Sequence, residues 1–158
     1  MSNKASAGYK TAVPFAMLVL LFFFLMSRMD YVVNSTLYDY GLRFSYGWAD
    51  EYWITYTAIF IAFAMAVSCA YWFGSHKTRR DMKLSLALFT TIVLFAIGGL
   101  QDIMFFILWD GGLPPNNVAW SWAPLANILG TWNSTIQVAF TTLMICVSIC
   151  MWALVKKK

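Results

Sequence analysis

Charge is scarce in this sequence. Charged residues fill 11% of its 158 positions, against about a quarter in a soluble domain. Hydrophobic residues make up 61% and aromatic residues 18%. That balance points to lipid as the main solvent. Histidine is nearly missing too, with His76 alone, in a basic link where it reads as a solvated loop residue. Transmembrane haem b is ordinarily held by paired axial histidines, and histidine-built copper or di-iron centres also need several. None of these is expected in this chain by itself. A Ser-His-Asp set fails for the same reason. Cysteine occurs three times, at Cys69, Cys146 and Cys150, always within apolar runs, and no CxxC is present. That is neither a secreted disulfide framework nor a thiol-disulfide enzyme signature. Cys146 and Cys150 lie one helical turn apart near Met144 and Met151, a set that a soft ion such as Cu(I) would accept. Both residue types are ordinary packing groups in apolar helices, and they are read that way. Glycine-rich phosphate loops are absent as well. No cofactor and no catalytic set is expected.

The net charge of +4 does not indicate nucleic acid, because the basic residues sit at the chain ends and in one short segment and form no stripe. Alternating strand patterns are missing from the long apolar runs, which argues for helices and against a barrel. Four such runs approach or exceed the roughly 20 residues needed to cross a bilayer. They cover about 11–33, 52–73, 84–109 and 132–155. The expectation is an all-α integral membrane protein, a single four-helix membrane domain over residues 1–158. Pro14 is expected in the first turn of the first helix, where a missing N–H matters little. No small-residue cleavage site follows the first run, so it is read as a mature helix and not a signal peptide.

Basic residues favour the cytoplasmic side of short loops. Lys4 and Lys10 precede the first run, Lys77, Arg79, Arg80 and Lys83 lie between the second and third, and Lys156, Lys157 and Lys158 close the chain. Only Arg28 and Arg43 remain for the other side. Both termini are therefore expected in the cytoplasm, in a multi-pass protein of the cell membrane. The two outer loops are rich in aromatic residues. Residues 34–50 hold Tyr38, Tyr40, Phe44, Tyr46 and Trp48, and residues 110–131 hold Trp120 and Trp122. Aromatic rings with a polar edge favour the headgroup layer, so these loops are expected to form an aromatic belt, or a docking surface for a partner. NST occurs at 34 and at 133, a formal glycosylation sequon at each place, although Asn133 would stand too close to the bilayer for a glycan.

Ala58, Ala62, Ala66 and Ala70 recur every fourth residue in the second run, with Cys69 beside the last, and are expected to let a neighbouring helix approach closely. Asn133, Gln137, Thr141 and Ser148 form a polar stripe on the fourth, which must face protein. Counting along the helices places several polar groups at one depth. Asp102 and Gln137 each rise roughly 27 Å from the inner side and Arg28 roughly 25 Å, at about 1.5 Å per residue. Asp50 and Glu51 mark the outer entry of the second helix. Arg28, Asp30, Glu51, Gln101, Asp102, Asn133 and Gln137 are thus expected to share an outer polar layer, with Arg28 the natural partner of Asp102. Such a layer reads first as a structural clamp, next as an outward-facing ligand, ion or proton site, and least as a carboxylate metal site.

One helical domain with so few chemical groups reads as a non-catalytic accessory subunit of a larger integral-membrane complex. The expected partners are the lipid bilayer and other membrane subunits, with no nucleic acid. Membrane oxidoreductases such as respiratory complexes or copper-dependent monooxygenases are hosts of this kind. The alternative is a small binding or transport protein using the Arg28 and Asp102 layer.

Overall fold

The computed structural model describes residues 3–41, 46–120, 123, 126 and 130–156, with side chains from Pro14 to Gly41 and from Glu51 to Val155 within those ranges. Arg43, Phe44 and Trp122 lie outside the described residues, as do the side chains of Lys4, Lys10, Tyr46, Trp48 and Asp50. Helices dominate what is described: α1 (Asn3–Asp39), α2 (Tyr46–Gly74), α3 (Arg79–Ile97), α4 (Leu100–Leu108) and α5 (Ser134–Lys156). There is no strand among the described residues.

Three stretches are long and apolar enough to cross a membrane, Pro14–Asp39, Glu51–Gly74 and Ser134–Val155. The chain is a helical membrane protein on that ground. The run expected to be one helix over 84–109 is two. α3 and α4 meet at a bend of 56°, because Gly99 takes a left-handed conformation at φ 66°, ψ 33° as the N-cap of α4. Ordinary residues resist that conformation by about 1–2 kcal/mol, and glycine does not.

α4 then crosses α1 more than it runs beside it. Gln101 at its start reaches Asp30, and Trp109 just past its end reaches Ser27. Those residues lie roughly 12 Å apart along α4, while Ser27 and Asp30 are only about 4.5 Å apart along α1.

Two further boundaries depart from expectation. α1 starts at Asn3, so Pro14 lies inside the helix and not in its first turn. α1 also continues past residue 33 through polar residues that hydropathy does not count. There Asn34 donates to the Asp30 carbonyl at 3.0 Å and Ser35 to the Val32 carbonyl at 3.1 Å, so their side chains are satisfied by the helix itself.

The main core gathers Val19, Phe23 and Met26 of α1, Tyr56, Phe60, Ala64 and Val67 of α2, and Ile92 of α3. The spacing of each set keeps one face inward. Phe22 stacks on Phe63 with centroids 3.7 Å apart and meets Phe60 edge-on at 5.4 Å. The inward face of α2 is therefore built mostly of large side chains. Ala58, Ala62, Ala66, Ala70 and Cys69 all lie on the opposite, exposed face, so the close approach expected along them is not made among the described residues.

α5 packs chiefly on α3. Of its polar stripe Gln137, Thr141 and Ser148 are buried, while Asn133 is only partly so and its neighbour Ser134 is buried instead. Trp152 fixes the far end of the helix by donating to Thr91 Oγ1 at 2.9 Å. A second core joins Phe106, Trp120, Ala123, Ala126 and Trp132. Trp120 is fully buried there and is a packing residue, not part of the expected belt. Tyr38 and Tyr40 are exposed by 78% and 77%, as a belt requires.

Candidate functional site

The α3–α4 break gathers most of the polar groups expected near this depth. Ending α3 at Gly98 leaves a backbone carbonyl with no helical partner, which would be costly in lipid. α5 supplies the partners. Gln137 Nε2 donates to the Gly98 carbonyl at 2.8 Å, and the Thr141 hydroxyl donates to the same oxygen. The Gln137 amide is held in turn by Trp132 Nε1, which donates to its Oε1 at 2.7 Å. A Cβ on Gly99 would run into both the Gln137 amide and the Asp102 carboxylate. Glycine is therefore required there for space as well as for conformation.

On the other side of the break, Gln101 is buried and donates to Asp30 Oδ2 at 3.0 Å. Asp30 also accepts from the Tyr52 hydroxyl and, at 3.2 Å, from Asn34 Nδ2. Three helices thus contribute to one carboxylate. Tyr56 stacks on Tyr52 with centroids 5.0 Å apart and donates to the Met26 carbonyl at 2.9 Å. Asp102 lies within electrostatic range of Asp30 and makes no hydrogen bond among the described residues. It sits in the first turn of α4, where the helix dipole favours a negative charge.

Arg28 does not pair with Asp102. It is exposed, and its guanidinium stands 5.3 Å from the Tyr31 ring centroid and 4.7 Å from that of Trp109. Arg28 and Asp30 share a depth but are two residues apart, about 200° around a helix of 3.6 residues per turn. Asp30 turns to α2 and α4 while Arg28 turns to a ring. Glu51 is exposed, and Asn133 has another role. Its Oδ1 accepts from the Ile136 N–H at 3.0 Å, the N-cap bond of α5. Both sequon asparagines are occupied in helical hydrogen bonds, Asn34 within α1 and Asn133 at the cap.

Comparison of the chain with protein-family models, with curated proteins and with solved structures found no match. The chemistry of the site therefore rests on its own residues. It brings together Asp30, Gln101 and Asp102, with Gln137 one bond network away. Tyr52 and Tyr56 belong with them and were not anticipated. Their four-residue spacing at the outer end of an apolar span is the signal that could have found them. Among the described residues no three histidine, cysteine, aspartate or glutamate side chains gather into a metal-ligand set. Hydroxyl and amide donors converging on the Asp30 carboxylate tie α1, α2 and α4 together.

Proposed function

We propose that this chain is a non-catalytic accessory subunit of a larger integral-membrane assembly. In this reading it crosses the cell membrane four times, with α3 and α4 as one bent span and both termini in the cytoplasm. The observation that carries the proposal is the outward face of α2. Ala58, Ala62, Ala66 and Ala70, with Cys69 on the same side, are exposed on the face turned away from the chain's own core. Lipid gives helices no hydrophobic reason to associate, so close backbone approach along small side chains is a main source of contact between them. α5 adds support, since only 11% of its most apolar stretch is buried against the rest of the chain. Respiratory complexes and copper-dependent monooxygenases are assemblies of the kind that carry such subunits.

The test is gentle extraction from native membranes followed by native mass measurement. The wild-type chain should travel with other membrane proteins. The double variant Ala62→Leu, Ala66→Leu should be released from them while keeping its own fold. A wild-type chain that extracts as a lone stable monomer, or as a small homo-oligomer, overturns the proposal. A second reading, a binding or transport protein with an outward polar site, is favoured by Asp102, which makes no hydrogen bond among the described residues and lies within electrostatic range of Asp30. It requires proton or cation uptake by proteoliposomes that Asp102→Asn abolishes, and uptake unchanged by that substitution removes it.

A further inference from the structure

The turn between α2 and α3 carries an arrangement that is unfavourable for the protein alone. Lys77, Arg79, Arg80 and Lys83 stand within seven residues, with Asp81 as their only acid and His76 exposed beside them. They crowd the N-terminus of α3, where the helix dipole disfavours positive charge. Asp81 lies within electrostatic range of Arg80 and His76 but spends its hydrogen bonds on Thr78. Its Oδ2 accepts from the Thr78 N–H at 3.0 Å and from the Thr78 hydroxyl at 2.9 Å, while its own N–H donates to Thr78 Oγ1 at 3.2 Å. That reciprocal cap fixes where α3 begins. Among the described residues none of the four cations forms an ion pair.

Lys77 adds a second unfavourable feature. At φ 56° it is the one non-glycine residue with positive φ among those described. Glycine or asparagine would be the easier choice there. Ser75 shapes the turn, accepting from the Lys77 N–H at 3.3 Å and donating to the Trp72 carbonyl at 2.8 Å. The Lys77 ammonium lies 5.8 Å from the centroid of Phe73, and Phe73 itself is 71% exposed. The turn directly follows the apolar stretch Glu51–Gly74, so the layer it meets is the headgroup layer of the membrane.

We propose that the α2–α3 turn is a seat for the phosphate of an anionic phospholipid, held by Lys77, Arg79, Arg80 and Lys83 with Phe73 against the acyl boundary. An anionic headgroup removes both difficulties together. It neutralises cations gathered at the wrong end of a helix, and it gives a lysine a use at a position otherwise suited to glycine. Arginine guanidinium groups can grip phosphate oxygens in pairs, and lysine adds a point charge. This inference rests on the membrane reading of the fold and is independent of the subunit proposal.

The experiment is native mass measurement of the full chain in detergent micelles, titrated with phosphatidylglycerol and separately with phosphatidylcholine. The wild type should retain phosphatidylglycerol preferentially. One basic residue near the surface contributes about a fivefold change in affinity. Arg79→Gln with Arg80→Gln should therefore weaken retention roughly 25-fold. Arg28→Gln, which removes one charge at the opposite end of the bundle, should leave it unchanged. Lys77→Gly should weaken retention about fivefold while thermal stability in detergent is kept or raised. A merely structural turn would show that gain without the loss of lipid. Equal retention of the two lipids, retention indifferent to both turn variants, or equally tight binding of inorganic phosphate without lipid would each overturn the proposal.

Discussion

Replacing Gly99 with alanine tests the geometry of the break most directly. The substitution adds one methyl group, but at φ 66° the backbone penalty for an L-residue is about 1–2 kcal/mol. The new Cβ would also meet the Gln137 amide. That amide makes bonds of 2.8 Å to the Gly98 carbonyl and 2.7 Å from Trp132 Nε1. Each is worth roughly 0.6–1 kcal/mol in a membrane setting. Displacing Gln137 while Thr141 still holds the carbonyl gives a combined loss of about 3 kcal/mol, or roughly 150-fold in the folding equilibrium. Reversible unfolding of the protein in bicelles by titrated sodium dodecyl sulfate, followed by tryptophan fluorescence, measures it. Gly98→Ala is the internal comparison, because Gly98 has an ordinary helical φ of −66°. Its added Cβ would stand 2.9 Å from the Leu94 carbonyl oxygen and 3.0 Å from Met144 Cβ and Cγ, so the cost there is crowding without a conformational penalty. It should lose about 1–3 kcal/mol through overpacking alone. A Gly99→Ala protein within about 0.5 kcal/mol of wild type would refute this account of the bend.

Arg28 and Asp102 should show no coupling in a double-mutant cycle of the same unfolding measurement, within about 0.5 kcal/mol, and a larger coupling would mean that they pair after all. Ala64 lies at 0% exposure in the core while Ala62 faces outward. Ala64→Leu should therefore destabilise the monomer by about 1–3 kcal/mol through overpacking, and Ala62→Leu should leave its unfolding midpoint in place. Asn133→Ala should weaken the monomer by about 1 kcal/mol through loss of the α5 cap, detectable as a lower midpoint in the same titration. Asn133→Asp keeps a capping oxygen and should restore most of it.

Long apolar runs revealed the helices because hydropathy alone reports burial in lipid. It says little about polar continuations, so α1 ran past residue 33 unseen. Gly98 and Gly99 stand side by side in the third apolar run. A glycine pair in an apolar run signals close approach and a break equally well, and both are realised. The polar layer was legible in height and not in direction. Counting residues gives a position along the helix axis, and that was enough to bring Asp30, Gln101, Asp102 and Gln137 into one neighbourhood. Which way each side chain points depends on helix rotation and on the crossing of α4 over α1. For that reason Arg28 was paired with the wrong group, and Tyr52, the hydroxyl that bonds Asp30, was passed over among many aromatic residues. The alanine stripe of α2 was legible by spacing, but spacing cannot say which way it faces, and it faces away from the main core.

The Gly98 carbonyl also imposes an order on synthesis. Its partner Gln137 is encoded 39 residues later, a delay of roughly 2–8 seconds at a translation rate of about 5–20 residues per second. Until α5 arrives, the bent pair holds an unsatisfied carbonyl in an apolar surrounding, so the bend can form early but cannot be locked early. α5 therefore completes the third hydrophobic segment, and a chain arrested before residue 141 should hold α3 and α4 in an unsettled arrangement.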